Sequence, residues 1–566
     1  MTFPQKAFRP LLWLLPLGFL AVFYFYPLGN ILGLSLGEGG LGAALSDVLG
    51  RASLRGVLGF TIWQALLSTL LTLVVGLPTA YLLARYRFPG KGLLRAVSGI
   101  PFVLPTLVVA AAFSALLGPR GWFNLGLMAL FNLSSPPLNF VNTFAAILVA
   151  HVFYNTTIVI RMVGDFWARL NPRIEQAARA LGASPGQTFR RVTLPLLAPA
   201  LAAASLLVFI FDFTSFGVIL VLGGPQFATL EVEIYYQTIS LFNLPTAAVL
   251  SLLQLACTLG LTLLYARLSA RLSRPIEVAA PERSARPLRG TARWLAGAWL
   301  AALMIFFALP LFGLAARSVT RLDAERQQRS AVETGLTLDY YAALGDNPES
   351  SIFFAPPLEA IGNSLGYASA TVLLALTIGL PAAWLLARRS EALSSRVLDP
   401  LLMLPLGTSA VTLGLGFLIT LDQPPLDLRA SPLLVPLAHS LVALPFVVRS
   451  LAPALRSIRP RLRQAAAVLG AAPAEVLRHV DLPLVGRALL VSAVFAFTIS
   501  LGEFGATALI ARPEHPTIPV LIFRLLGRPG ALNYGQALAL STILMSVAGA
   551  GMLAIERLRF AEVGEF

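Results

Sequence analysis

"NPRIEQAARALGASPGQTFRRVTLP" (residues 171–195) and "RPRLRQAAAVLGAAPAEVLRHVDLP" (residues 459–483) align without a gap, and 13 of their 25 positions are identical. Gly182 pairs with Gly470, 288 residues later, and the same offset relates His151 to His439, Arg161 to Arg449 and Pro225 to Pro513. Upstream, "GLPTAYLLAR" from Gly76 matches "GLPAAWLLAR" from Gly379 at an offset of 303, so intervening loops absorb the difference. The chain therefore reads as two homologous halves in parallel orientation. Their limits fall at 1–272 and 291–566, with homologous cores at about 58–268 and 360–557. Between them, "SRPIEVAAPERSARPLRG" (273–290) has the charge and proline content of a linker.

Composition places this repeat in a membrane. Hydrophobic residues make up 57% of the 566, charged residues only 12%, and the mean hydropathy is +0.78, whereas a soluble domain carries about 25% charged residues. Apolar runs long enough to cross a ~30 Å hydrocarbon core as helices recur at 11–35, 58–84, 97–117, 143–164, 198–222 and 246–267. A second set follows at 294–316, 361–387, 398–421, 432–452, 488–510 and 535–555. The expected fold is thus an all-α polytopic membrane protein of about 12 transmembrane helices in two parallel six-helix halves. A pseudo-twofold axis would run along the membrane normal. The first run shows no small-residue cleavage site and exceeds the length of a signal-peptide core, so it is expected to stay as a span.

The formal charge of +15 does not point to nucleic acid, because its arginines alternate with the spans. Arg85, Arg87 and Arg95 fall in one loop, Arg169, Arg173, Arg190 and Arg191 in another, and Arg456, Arg459, Arg461 and Arg463 in a later one. These are every second loop, so the positive-inside rule puts both termini in the cytoplasm. Cys257 stands alone and offers neither a disulfide framework nor a metal cluster.

The repeated loop has its own local logic. In each copy a short helix with adjacent alanines (Ala177 and Ala178; Ala465 and Ala466) ends at a glycine (Gly182; Gly470) suited to a left-handed stop. Pro185 and Pro473 can open a second short helix, and Leu194-Pro195 and Leu482-Pro483 lead into the next span. The product is a small-surfaced helix at a cytoplasmic elbow, able to approach another protein closely. A plain interfacial segment is the alternative for one such loop, and duplication in register disfavours it.

At these residues the chain resembles the "EAA" loop of ABC importer permeases. That pattern has a glycine four positions after the second alanine, an aliphatic residue ten further on (Val192; Val480) and a closing Leu-Pro. The usual glutamate position holds Gln176 in the first half and Gln464 in the second, which keeps a hydrogen-bonding side chain but not a charge. With "FTSFGVILVLGGPQFATLEVEIYYQ" and "SLGEFGATALIARPEHPTIPVLIFR" after the two loops, the whole chain looks like a fused two-half permease of the iron(III)/thiamine branch of binding-protein-dependent importers, with type I transmembrane architecture. The resemblance implies two copies of a cytoplasmic ABC ATPase, one docked at each loop, and a periplasmic or lipid-anchored solute-binding protein. It implies a multi-pass location in a bacterial or archaeal cytoplasmic membrane, and a cargo such as ferric iron or thiamine, with a polyamine or an oxyanion as alternatives.

The absences agree with this reading. The chain has two lysines; Lys6 lies near the N-terminus and Lys91 in "FPGKGLL" is followed by glycine, so no Gly-Lys-Ser/Thr phosphate loop is present. ATP and Mg are expected on the partner ATPase, with no cofactor, metal or catalytic set on this chain. A secondary transporter would also fit twelve spans in two halves, but would need coupled ionisable residues in its core, and a membrane enzyme would need a catalytic cluster at one face. His151 and His439, at equivalent positions, read first as interhelical hydrogen-bond formers and second as pathway contacts.

"FIFDFTSFG" (209–217) puts Asp212 in an apolar run, where a charge facing lipid would cost at least ~2.5 kcal/mol. At the 288 offset Asp212 pairs with Ser500 and Ser215 with Glu503. Each half thus holds one acid and one serine three residues apart, expected on one helical face, in exchanged order. If the span starts near Ala198, Asp212 lies roughly 21 Å along it, past the midplane. Asp212, Ser215, Ser500 and Glu503 are therefore the candidates for lining a pathway or gate between the halves.

Overall fold

An apolar run in lipid can satisfy its backbone internally only as a helix or in a closed barrel, and these runs fold as helices. The computed structural model describes residues 13–36, 40–272, 286–288, 290–323, 333–346, 355–388, 393–422, 424 and 426–563. The linker expected at 273–290 lies largely outside these. Among the described residues, ten helices are long and apolar enough to cross a membrane, or twelve if two bent pairs each count as one span. The helices that organise the sites are α1 (Trp13–Leu36), α2 (Ala52–Arg85), α3 (Phe144–Arg169), α4 (Leu194–Phe213), α5 (Gly217–Leu222), α6 (Thr291–Ser318), α7 (Pro357–Arg388), α8 (Leu434–Ser457), α9 (Gly486–Gly502) and α10 (Thr507–Ile510).

Four of the expected spans are interrupted. The run at 97–117 divides at Leu104–Pro105, and that at 398–421 bends by 95° between Leu398–Gly407 and Ala410–Thr420. Proline supplies no backbone donor and clashes with the preceding turn, which accounts for both. The run at 198–222 is broken between α4 and α5, and that at 488–510 between α9 and α10. No proline sits at these two breaks. Instead, side chains compete for the backbone: the Thr214 hydroxyl donates to the Ile210 carbonyl at 2.9 Å, and the Glu503 carboxylate accepts from the amides of Ala506 (2.8 Å) and Thr507 (3.1 Å).

By contact the chain forms two compact units whose membership differs from the order of the sequence. One comprises Leu49–Glu233 and Ala256–Arg321; the other comprises Met1–Val48, Ile234–Leu255 and Leu322–Phe566. In the first, α2, α3 and α4 pack together, and α6 joins them against Thr106–Leu117. The Trp299 indole donates to the Thr79 hydroxyl (3.0 Å), and the Trp122 indole donates to the Gly313 carbonyl of α6 (3.0 Å). In the second, α7, α8 and α9 form the matching bundle, and α1 packs on Ala410–Thr420. Tyr24 and Thr408 share a hydroxyl hydrogen bond of 2.7 Å, and the Asn30 amide donates to the Thr420 hydroxyl at 3.2 Å.

The repeat reaches into the packing. A methyl group on Gly76 would lie 2.7 Å from both Cβ and Cγ1 of Val159, and one on Gly379 would lie 2.7 Å from Cγ1 of Val447. Both pairs keep the sequence offsets. Small residues let membrane helices approach where no hydrophobic force drives them together, and here glycine admits a β-branched knob from the neighbouring helix. Gly76→Ala and Gly379→Ala should each destabilise their bundle by about 1–3 kcal/mol, seen as a lower thermal midpoint of the detergent-solubilised protein. Val447→Ala should relieve Gly379→Ala, because the next contact, to Cβ, is 3.3 Å. Val159→Ala should relieve Gly76→Ala less, because Cβ of Val159 itself obstructs.

Candidate functional site

The two elbow loops have the local structure their sequence encodes. Asn171 caps the helix Pro172–Ala180 by accepting from the Arg173 amide at 3.0 Å. Gly182 adopts φ 87°, and the amides of Gly182 and Ala183 donate back to the carbonyls of Arg179 (3.0 Å) and Ala178 (3.1 Å). In the second copy Gly470 adopts φ 88° after Pro460–Val468, with the amides of Gly470 and Ala471 donating to Ala467 (3.1 Å) and Ala466 (3.0 Å). This is a helix stop closed by an αL glycine. Next, Ser184 and Gln187 form a reciprocal capping box for Pro185–Thr188; at the equivalent place Glu475 accepts from the Ala472 amide at 2.7 Å.

One contact holds each elbow, and its chemistry is exchanged. In the first loop the Glu175 carboxylate accepts from Arg85 at 2.6 Å and from the Thr193 hydroxyl at 3.0 Å. At the equivalent positions of the second loop, the Arg463 guanidinium donates to the buried Asp481 carboxylate at 2.7 Å and to the Leu455 carbonyl at 3.1 Å. The face left outward is the motif itself. Gln176, Ala177, Gly182 and Pro195 are exposed, as are Gln464, Ala465, Gly470 and Pro483, while Ala178 and Ala466 are half-buried. Leu181 is 90% exposed and Leu469 87%, so each glycine stop presents a bare leucine beside the small alanines.

The candidate gate residues fall into two buried clusters, each inside its own unit. In the first, the His151 imidazole reaches three residues: Nδ1 lies 3.0 Å from the Ser68 hydroxyl and 3.3 Å from Asp212 Oδ1, and Nε2 lies 2.8 Å from the Ser215 hydroxyl. The Asn155 amide donates to Asp212 Oδ1 at 2.7 Å, and the Gln64 amide donates to the Asp212 carbonyl at 2.7 Å. In the second, His439 Nδ1 lies 2.7 Å from the Ser500 hydroxyl, and Nε2 lies 2.8 Å from the Thr507 hydroxyl and 3.1 Å from Glu503 Oε2. The Ser500 hydroxyl donates to Thr371, and the Thr507 hydroxyl donates to Glu503. Asp212 is 1% exposed and Glu503 7%.

Acid and serine are thus brought together in each half, but not by a shared helical face. Helix α4 ends at Phe213 and α9 at Gly502, so Ser215 and Glu503 lie beyond the helix that carries Asp212 or Ser500. The histidine joins them. Sequence reading identified His151 and His439 as hydrogen-bond formers but found none of Gln64, Ser68, Asn155, Thr371 or Thr507. One signal was present: Ser68 and Thr371 are related by the same 303-residue offset as the glycines.

A many-helix membrane chain with two glycine-stopped elbows and no nucleotide loop of its own has the makings of a permease subunit worked by partner proteins. Residues 73–274 match the family described as "Binding-protein-dependent transport system inner membrane component". The chain is 30% identical over 542 residues to the thiamine transport system permease protein ThiP of Brucella abortus (strain 2308), covering 94% of this chain and 92% of that one. It is 27% identical to the thiamine transport system permease protein ThiP of Escherichia coli (strain K12), over 87% of this chain and 88% of that one. A Salmonella paratyphi A protein described as a candidate 2-aminoethylphosphonate transport system permease, PhnU, is 31% identical over 47% of this chain and 93% of its own. The chain belongs to the family of binding-protein-dependent permeases: it is a multi-pass inner-membrane component of an ABC importer and not an enzyme, the ATPase being a separate subunit in this family.

Removing the Arg463 side chain deprives the buried Asp481 of its guanidinium. Arg463→Ala should cost about 3 kcal/mol of local stability, read as faster amide exchange across residues 460–481. Introducing the first-half residue as well, in R463A/D481T, should recover most of the protection.

Proposed function

We propose that this chain is the thiamine-translocating permease of its importer, with both transmembrane halves, 1–272 and 291–566, in one polypeptide joined by 273–290. The observation that carries the cargo is the near full-length match to permeases whose names specify thiamine. Two identical ATPase subunits dock on the two elbows, at Gln176, Ala177, Ala178, Gly182 and Pro195 and at Gln464, Ala465, Ala466, Gly470 and Pro483. ATP and Mg stay on those subunits. A periplasmic or lipid-anchored binding protein presents the solute from outside.

The local geometry supports a docking role for the elbows. Each is held by an ion pair and stopped by a left-handed glycine, so a push from a docked subunit would reach α4 or α9 through a stiff connection rather than a slack loop. The exposed Leu181 and Leu469 give a partner an apolar side chain to bury, worth about 1.5–3 kcal/mol when fully covered.

The test is reconstitution in proteoliposomes with the ATPase and the binding protein encoded beside the gene. ATP-dependent uptake of radiolabelled thiamine should saturate and should resist a large excess of ferric ion or 2-aminoethylphosphonate. ATP-dependent uptake of either of those instead would overturn the thiamine assignment. For the elbows, Leu181→Asp with Leu469→Asp should reduce co-purification of the ATPase at least about tenfold, the loss of one anchor of roughly 1.4 kcal/mol or more.

A further inference from the structure

We propose that His151 and His439 are positioning residues for transport, each pinning a break in a membrane helix to its two neighbours, and that an acid on either side of the imidazole completes the pin. The inference rests on the permease reading and extends it to a part of the molecule that docks no partner.

The geometry is the same in both halves. His151 projects from α3 and meets α2 through Ser68, α4 through Asp212 and the broken segment through Ser215. His439 projects from α8 and meets α9 through Ser500 and α10 through Thr507, while Ser500 in turn donates to Thr371 of α7. Each imidazole therefore spans the break, with one nitrogen before it and the other after it. On the nitrogen that faces back along the helix stand Asp212 in one half and Ser500 in the other. On the nitrogen that faces forward stand Ser215 and Glu503. The exchange of acid and serine between the halves moves the carboxyl group from Nδ1 to Nε2, and a different donor then holds it in each half, Asn155 for Asp212 and Thr507 for Glu503.

Donor accounting shows the two pins to be unequal. The Ser500 hydroxyl donates to Thr371 and the Thr507 hydroxyl donates to Glu503. The Glu503 carboxylate accepts from the amides of Ala506 and Thr507 and from the Thr507 hydroxyl, and its Oε2 lies 3.1 Å from His439 Nε2. In the first half Asp212 accepts on Oδ1 from Asn155, beside His151, whereas its buried Oδ2 has no hydrogen-bond partner among the described residues. Buried polar groups are normally matched, so the first pin is the less fully satisfied of the two.

A residue that lines the pathway and a residue that holds the break respond differently to exchange. The experiment uses the full chain with its ATPase and thiamine-loaded binding protein in proteoliposomes, reading both thiamine uptake and binding-protein-stimulated ATP hydrolysis. Asp212→Ser should lower the maximal uptake rate about tenfold, the scale of one lost hydrogen bond, without shifting the half-saturating concentration of binding protein. D212S/S215E, which places the acid and the serine in the second-half order, should return the rate to within about threefold of the parent. The reciprocal S500D/E503S exchange should likewise stay within about threefold, and it keeps the proposal testable if Asp212→Ser fails to assemble with the ATPase. The idea is overturned if neither exchange supports transport, or if Asp212→Ser leaves the maximal rate intact and raises the half-saturating concentration, as a cargo contact would. A wrong cargo would appear differently, as no thiamine uptake by the unaltered chain despite stimulated ATP hydrolysis.

Discussion

A helix broken inside a membrane leaves backbone groups with no water to turn to, so each interruption must find its partners within the protein. This constraint organises both halves of the chain. At Thr214–Phe216 and at Glu503–Ala506 a span stops and restarts, and side chains rather than solvent hold the gap. Imidazole suits that position because it has a hydrogen-bonding nitrogen on each side of a rigid ring. Serine, threonine and one carboxyl group fill the remaining positions, and the helices α2, α3 and α4, or α7, α8 and α9, are tied together through them.

Duplication makes the physics visible, since the same pairs of positions meet with different residues. Glu175 with Thr193 becomes Arg463 with Asp481, and Asp212 with Ser215 becomes Ser500 with Glu503. What persists is an acid with a hydrogen-bond donor beside it, since an unmatched group at low dielectric is costly whichever residue supplies it. Both exchanges sit where the chain changes direction: at the base of an elbow, and at the break in the span that follows it.

Much of the elbow was legible because its determinants are local. The alanine pair, the glycine at the left-handed position and the proline at a helix start each act within a few residues, and repetition in register separated them from chance. The buried clusters were legible only in part. Asp212 and Glu503 stand out as acids in apolar runs, and the equivalence of His151 and His439 is plain from the offset. Their partners Gln64, Ser68, Asn155, Thr371 and Thr507 are single polar residues on other helices, and nothing in a local pattern links them. The spacing of three between acid and serine suggested one helical face; the helix ends between them, and the connection runs through the histidine instead.

The sequence by itself determined the rough extent of the apolar spans, the duplication and the two elbows, because hydropathy, proline and glycine act along the chain. Only the tertiary structure decided which helices keep company. The opening helix α1 lies in the unit that holds the second half, by way of Tyr24, Asn30 and the fit of Gly416 against Pro27, and α6, which opens the second half, lies in the unit that holds the first. A span that is apolar all round carries no directional preference in lipid, where association depends on close packing and a few hydrogen bonds. Those are properties of two surfaces meeting, and neither surface exists until the helices have formed.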